Sequence, residues 1–333
     1  MPGELPNITS EGIDKIFHVQ PDGFESLALE IFRYQYASND IYGRFADAVG
    51  RGPQTVHQLQ DIPFLPISFF KTHRVTAGDA DAGVVFESSG TTGSVSSRHF
   101  VLDPRVYEKS FMEAFSAFYG DPSEWTILCL LPSYLERKHS SLVLMAEKLI
   151  QASGSAGSGF YLYEHDKLRD TLLQLETAGA KTLLLGVSFA LLDFAEANEM
   201  KLIHTTVMET GGMKGRREEW TRERVHGYLK QRLGVGTVHS EYGMTELLSQ
   251  AYSVGDGIFV CPPWMRIMLR EEDDPLTVKK SGNGIINVID LANIHSCSFI
   301  ATDDAGKLHA DRSFEVIGRV DHSDLRGCSL MAV

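Results

Sequence analysis

Ser88-Ser89-Gly90-Thr91-Thr92-Gly93-Ser94-Val95-Ser96-Ser97 is a hydroxyl- and glycine-rich loop with little apolar content to bury. Gly83-Val84-Val85-Phe86 before it reads as a short buried strand, and Arg98 and His99 follow it. A strand that ends in successive backbone N–H groups and small hydroxyls makes a nest for phosphate oxygens. Glycines let the backbone approach a ligand closely, and Ser and Thr add donors without bulk. The loop is not the G-x-x-x-x-G-K-[ST] phosphate loop, because Gly90 and Gly93 are too close together and no lysine follows. On its own it is equally well read as a surface loop of turn-forming residues.

The chain around it has 333 residues, 43% hydrophobic and 23% charged, the balance of an ordinary globular protein with ample core. A net charge of −13 weighs against non-specific binding to nucleic acid or to an anionic membrane, both of which need a basic surface. The start, MPGELPNITSEGID, lacks the charged-then-apolar pattern of a secretory signal. The longest apolar run, residues 182–195, is interrupted by Asp193 and too short to span a bilayer. A cytoplasmic protein without a membrane span is therefore expected. The four cysteines, Cys129, Cys261, Cys297 and Cys328, form no C-x-x-C pair, which argues against a zinc site and a disulfide framework. Cys129 and Cys297 lie in apolar or strand-like runs and read as inert buried thiols. Cys328 differs: it follows Arg326 and Gly327 close to the end of the sequence.

Apolar spacing predicts helix over residues 24–45 with a break near Ser38-Asn39, and an apolar connector around Pro63 and Pro66. Helices follow over 106–118, 140–151, 168–175, 189–197 and 218–233, alternating with strands at 126–131, 160–163, 182–185 and 203–208. That alternation implies a parallel sheet covered on both faces. Beyond residue 258 the pattern changes to short strands and turns (264–269, 284–291, 298–301 and 314–318), a smaller β-rich subdomain on an α/β core.

Three later segments carry chemistry. Thr210-Gly211-Gly212-Met213-Lys214-Gly215 follows a predicted strand, where open α/β sheets bind ligands, and its paired glycines would admit a flat ring. A plain strand-to-helix turn explains it as well. His239-Ser240-Glu241-Tyr242-Gly243-Met244-Thr245-Glu246 offers an aromatic face in Tyr242, a hydroxyl for phosphate in Thr245 and a carboxylate suited to Mg2+ in Glu246. A packed tyrosine and a solvated glutamate are the alternative. Ala301-Thr302-Asp303-Asp304-Ala305-Gly306, followed by Gly318-Arg319-Val320-Asp321, places a carboxylate that can accept both hydroxyls of a ribose. D-D-A-G is also a good β-turn.

The order of these segments is that of the ATP-dependent adenylate-forming enzymes. The blocks DIPFLPISFFKTHRV, FESSGTTGSVSSRH, LLPSYLERKHSSL, METGGMKGRR, HSEYGMTELLSQAY, CPPWM and DRSFEVIGRVDHSDLRGCSL resemble, from residue 24 onward, the LuxE-type acyl-protein synthetases, which are long-chain-fatty-acid–protein ligases. The resemblance implies the N-terminal core of the adenylate-forming fold, α/β with mixed sheets flanked by helices and a small β-rich subdomain. It divides the chain into a helical region and connector (1–80), a nucleotide-binding core (81–255), the β-rich subdomain (256–318) and a truncated hinge and tail (319–333). It implies ATP and Mg2+ as cofactors, a fatty acid as substrate and an acyl-protein or fatty-acid reductase as partner.

By the same resemblance, Ser88, Ser89, Gly90, Thr91, Thr92 and Gly93 would hold the ATP phosphates, with Arg98 where many relatives carry lysine. Gly211 and Gly212 would flank the adenine, and Tyr242, between Glu241 and Gly243 of the same nucleotide-binding motif, would stack on it. Thr245 would touch the α-phosphate, Glu246 would hold Mg2+ and Asp304 the ribose. Arg319 matches the arginine before the hinge, and Cys328 the near-terminal cysteine that carries the acyl group. Most adenylate-forming enzymes continue into a C-terminal lid with a catalytic lysine. This sequence ends at Val333 with no room for one after Gly318, a feature of the LuxE group too, so Arg98, Lys214 or Arg319 is expected to stabilise the transferring phosphoryl. An acyl- or aryl-CoA ligase resembling phenylacetate–CoA ligases, or a nucleotide-binding subunit without turnover, would carry the same motifs. A requirement for coenzyme A, or a failure to form any acyl-AMP, would distinguish them.

Overall fold

The structure, a computed structural model, describes residues 10–88, 95–132, 139–211 and 220–320. It begins with helices α1 (Ser10–Phe17), α2 (Phe24–Ser38) and α3 (Asp40–Ala48). The expected break between the last two is Asn39, whose backbone N–H closes α2 on Gln35 while its side chain caps α3 by accepting from Tyr42 N. The Pro63–Pro66 connector holds a short strand, β1 (Leu65–Pro66), before α4 (Phe69–Thr72).

The hydroxyl-rich loop lies between β2 (Val84–Glu87) and β3 (Arg98–Val101), which pair antiparallel as a separate two-stranded ribbon. The short buried strand expected there is thus not part of a larger sheet, and only its Phe86 is fully buried. Beyond the ribbon, α5 (Pro104–Tyr119) starts on the Asp103 cap with proline in its first turn.

Alternation then proceeds as read from the sequence: β4 (Thr126–Leu130), α6 (Ser141–Ser153), β5 (Gly159–Tyr161), α7 (His165–Thr177), β6 (Thr182–Val187), α8 (Ser188–Ala197), β7 (Thr205–Thr210), α9 (Arg222–Leu233), β8 (Val238–Tyr242) and β9 (Ala251–Ser253). The strands form one sheet in the order β5-β4-β6-β7-β8-β9, parallel except for β9. Every residue of β4 and β6 is buried, which is why both read as unbroken apolar runs.

The second sheet is built from β10 (Ile258–Phe259), β11 (Met265–Arg270), β12 (Val278–Lys279), β13 (Gly282–Asp290), β14 (Phe299–Leu308) and β15 (Phe314–Arg319), in the order β10-β15-β14-β13-β11-β12. It also takes in β1, which pairs parallel to β14 with Leu65 opposite Ile300. Residues 301–306 are not the β-turn their composition allows. They run through the middle of β14, with an irregularity in pairing at Ala305/Gly306. A Cβ on Gly306 would lie 2.6 Å from the Glu315 carbonyl oxygen and 2.7 Å from Ile286, so only glycine admits this packing.

The N-terminal helices are locked to this second sheet. Tyr42 stacks on Phe299 at 5.9 Å and donates its hydroxyl to the Pro63 carbonyl at 2.9 Å. Gln35, fully buried, donates to the Asn293 and Ile294 carbonyls at 2.9 and 3.0 Å and accepts from Ser298 N at 2.9 Å. No helix among the described residues is long and apolar enough to cross a membrane.

Replacing Gln35 by leucine keeps the volume but strands the Ile294 carbonyl and the Ser298 N–H away from water, while the Asn293 carbonyl keeps its bond from Ser296 N. At about 1–3 kcal/mol per unpaired buried group, Gln35→Leu should lower unfolding stability by about 2 kcal/mol or more, measured by urea titration. A loss below about 1 kcal/mol would mean that this clamp does not hold the helices.

Candidate active site

Three parallel strands bring their carboxyl ends side by side, with Val187 of β6 opposite Thr210 of β7 and Thr210 opposite Glu241 of β8. Side chains alternate across a strand, so Glu209, Ser240 and Tyr242 share one face while Thr210 and Glu241 share the other. The sequence-predicted residues therefore divide between two environments.

On the first face, Glu209 is buried and accepts from Ser188 Oγ at 2.9 Å and Arg222 Nε at 3.2 Å, with His226 Nε2 at 3.6 Å. Burial pushes its carboxyl up, but the His226 and Arg222 partners outweigh it and hold the group below the usual range. Ser188 Oγ is also 2.8 Å from the Gly211 carbonyl, so its single proton serves either the carboxylate or the turn after β7. Gly211 borders a cleft of about 400 Å³ floored by Ser188 and Glu209 and walled by Trp220, Val225, Val316 and Ile317. That volume is in the range of small-molecule sites.

Beside the cleft the two sheets join. Tyr242 donates its hydroxyl to Asp304 Oδ2 at 2.9 Å, and Arg319 Nε reaches Asp304 Oδ1 at 3.4 Å. The Tyr242 ring packs edgewise on Phe259 and Phe314, with centroids 5.9 and 5.6 Å away. Only 8% of the residue is exposed. Little of its face is free for stacking in this arrangement, and its hydroxyl is committed to Asp304.

The turn after β8 carries Thr245 and Glu246. Glu246 is buried, and burial pushes its carboxyl up against the opposing pull of a Ser97 hydrogen bond and the charges of Arg319 and Lys71. Ser97 ties back to Ser88, with its N–H on Ser88 Oγ at 2.8 Å and its carbonyl accepting from Ser88 N at 3.0 Å. The Arg319 charge is thus felt at Glu246 while its guanidinium reaches Asp304, and Ser97, tied to the base of the hydroxyl-rich loop, acts on the same Glu246 carboxyl. Among the described residues no three His, Cys, Asp or Glu side chains form a metal cluster. A single buried carboxylate still fits Mg2+, which commonly takes one or two protein carboxylates and completes its shell with substrate phosphates and water.

Glu241 faces the other way. Thr210 Oγ1 donates to it, and Tyr107 and Tyr119 of α5 and Tyr252 of β9 lie close enough for its charge to raise their phenols. Burial, with the Glu209 charge adding to it, raises Glu241 to about 7. A Cβ on Gly243 would sit 2.4 Å from Glu241 Oε1, so a larger residue there would push the buried carboxyl aside.

Arg98 opens β3, exposed, with its guanidinium 5.6 Å from the Phe100 ring centre. Ser89, Gly90, Thr91, Thr92, Gly93, Gly212, Lys214 and Cys328 lie outside the described residues. Cys129 and Cys297 are buried as expected, and burial pushes the Cys297 thiol up to about 12. Several contributors were not foreseen: Ser188, Glu209, Arg222 and His226 at the cleft, and Ser97, His99 and Asn293 around the Thr245–Glu246 turn. His99 was the most legible of them, since strand alternation in Arg98-His99-Phe100-Val101 puts it on the same buried face as Val101.

No family model matches the chain, and no curated protein matches it by sequence. Solved structures do match in fold. ATP-bound MatB from Rhodopseudomonas palustris superposes with a TM-score of 0.55 at 19% identity, covering 73% of this chain and 49% of that one. The fatty acid AMP ligase from Legionella pneumophila does so with 0.53 at 14% identity, covering 74% and 52%. The chain spans about half the length of these proteins, and at such identities the likeness is one of fold. Its α/β architecture is that of the N-terminal core of adenylate-forming enzymes.

Glu241 yields a signed pH dependence. An unfolded glutamate ionises near the ordinary value of 4.5 and the folded one near 7. Between those values the folded state holds a proton that the unfolded state has released, so raising the pH costs stability. Glu241→Gln removes this, and the wild type should lose up to about 3 kcal/mol relative to the variant between pH 4.5 and 7.5. Parallel urea curves for the two proteins across that window would show instead that Glu241 is charged in the fold.

Proposed function

We propose that this chain activates a fatty carboxylic acid with ATP to give the acyl adenylate, and then accepts the acyl group as a thioester on Cys328. The observation that carries the first step is the Tyr242–Asp304–Arg319 tie, placed beside Glu246 and the Gly211 cleft. It stands in a fold that superposes on ATP-bound MatB and on a fatty acid AMP ligase. The second step rests on the sequence resemblance to acyl-protein synthetases.

In the adenylation step, a carboxylate oxygen of the acid forms a bond to the α-phosphorus while the bond to the pyrophosphate oxygen breaks. Asp304, aimed by Tyr242 and flanked by Arg319, accepts the ribose hydroxyls and sets the nucleotide's position. Positioning of this kind supplies much of the acceleration in phosphoryl chemistry. Ser88 and the hydroxyl-rich loop donate to the phosphates, and Arg98, Lys214 and Arg319 are the cations available to neutralise charge there. Glu246 would hold Mg2+, which when bound neutralises phosphate charge. In the transfer step the Cys328 thiolate bonds to the acyl carbon, the carbon–oxygen bond to phosphate breaks, and AMP leaves. Arg326 favours the thiolate. A fatty-acid reductase is the class of partner that would consume such a thioester.

An ATP–pyrophosphate exchange screen across carboxylic acids of different length and aromaticity tests the first step. Asp304→Asn removes the charge with little change of shape and should raise the KM for ATP about tenfold, the worth of a charged hydrogen bond. Exchange absent from the wild type with every acid sinks the ligase reading.

Cys328→Ala should keep acid-dependent exchange yet abolish labelling of the chain by radioactive fatty acid. Persistent labelling removes Cys328 from the scheme. Release of AMP that requires coenzyme A, with no acylated protein, would replace it with a CoA ligase.

A further inference from the structure

We propose that His99 is a positioning residue that fixes the Thr245–Glu246 turn and so sets the aim of Glu246 at a nucleotide-bound divalent cation. The inference rests on the adenylation reading given above.

His99 lies on β3, the strand that returns from the hydroxyl-rich loop, and is fully buried. Its Nδ1 is 2.9 Å from the Thr245 carbonyl oxygen and its Nε2 is 2.9 Å from Ser296 Oγ. A carbonyl only accepts, so Nδ1 carries the proton. Burial pulls the imidazole down to about 4, so the ring is neutral and Nε2 accepts from the Ser296 hydroxyl. Phe70 stands edge-on to the ring, with centroids 5.5 Å apart and planes at 86°, leaving it no freedom to turn. The next carbonyl, that of Glu246, is held from the second sheet by Asn293 Nδ2 at 2.7 Å. Successive carbonyls of one turn are therefore gripped from two directions, one from the loop side and one from the segment between β13 and β14. Ser97, two residues before His99, lies close enough to the Glu246 carboxyl to pull it down against the effect of burial. β3 thus holds the backbone just before Glu246 through His99, and the residue preceding the strand, Ser97, acts on the carboxyl itself. A histidine that merely filled the core would have no reason to influence a metal.

The test uses the full chain and two readouts. One is the calorimetric binding of a non-hydrolysable ATP analogue with and without Mg2+. The other is the Mg2+ concentration giving half-maximal pyrophosphate exchange. His99→Leu should raise the Mg2+ requirement in both by about tenfold to a hundredfold, the usual effect of losing an outer-shell partner. Binding of the metal-free analogue, which still meets Thr245, should weaken far less, and the KM for the acid should stay unchanged. His99→Asn, whose amide N–H2 sits where Nδ1 was, should recover most of the loss. His99→Gln, whose amide extends toward Ser296 instead, should not. Should the leucine variant fail to fold, the Asn and Gln pair decides: equal Mg2+ dependence in the two overturns the proposal. So does a leucine variant with the wild-type Mg2+ requirement, or one that weakens all ligands alike. A wild type that exchanges but is insensitive to these changes sinks this inference alone. A wild type that neither binds the Mg2+-analogue complex nor exchanges sinks both.

Discussion

A phenol and a carboxylate meeting between two sheets constrain everything around them. Tyr242 closes the parallel sheet, Asp304 sits within the antiparallel one, and their 2.9 Å hydrogen bond is buried. Burial and the Asp304 charge push the Tyr242 phenol well above its ordinary value, so it remains a donor across the physiological range. A hydrogen bond to a charged acceptor contributes about 1.5–3 kcal/mol. Its geometric effect is wider, because it registers the end of β8 against the middle of β14 and brings Arg319 of β15 to the same carboxylate.

Two carboxylates on neighbouring strands show how one sheet separates charge from neutrality. Glu209, among Arg222, His226 and Ser188, remains ionised beside the cleft. Glu241, across the sheet, has the Thr210 hydroxyl and a shell of tyrosines, and is drawn toward neutrality. The period of two along β7 and β8 alone decides which acid meets which environment. Net negative charge over the whole chain therefore says little about the cleft, where Arg222 supplies a local cation and Arg319 follows the lining residue Gly318 in sequence.

Much of this was legible in the sequence where local rules decide. The unbroken apolar runs of β4 and β6, the Asn39 break and the Gly154 and Gly234 helix stops all follow from propensity and capping. What escaped depends on pairing across long separations. Leu65-Pro66 reads as a proline connector, and only Ile300 and Ala301 make it a strand. Asp304 reads as a turn residue, and only the pairing of β14 with β15 keeps it extended. The Tyr242 ring could be assigned a ligand face from its motif, but Phe259 and Phe314, which occupy its sides, announce nothing of the kind in one dimension.

The parallel pairing of β1 with β14 bears on how the chain is made. During vectorial synthesis the 126–253 sheet has all its strands in hand while residue 300 is still unmade, so Leu65 must wait for a neighbour far downstream. Until then Phe32, Tyr42 and Phe64 have no Phe299 to cover them, and a greasy aromatic surface stays open. Such late closure slows folding and leaves the nascent chain open to self-association until β14 is made.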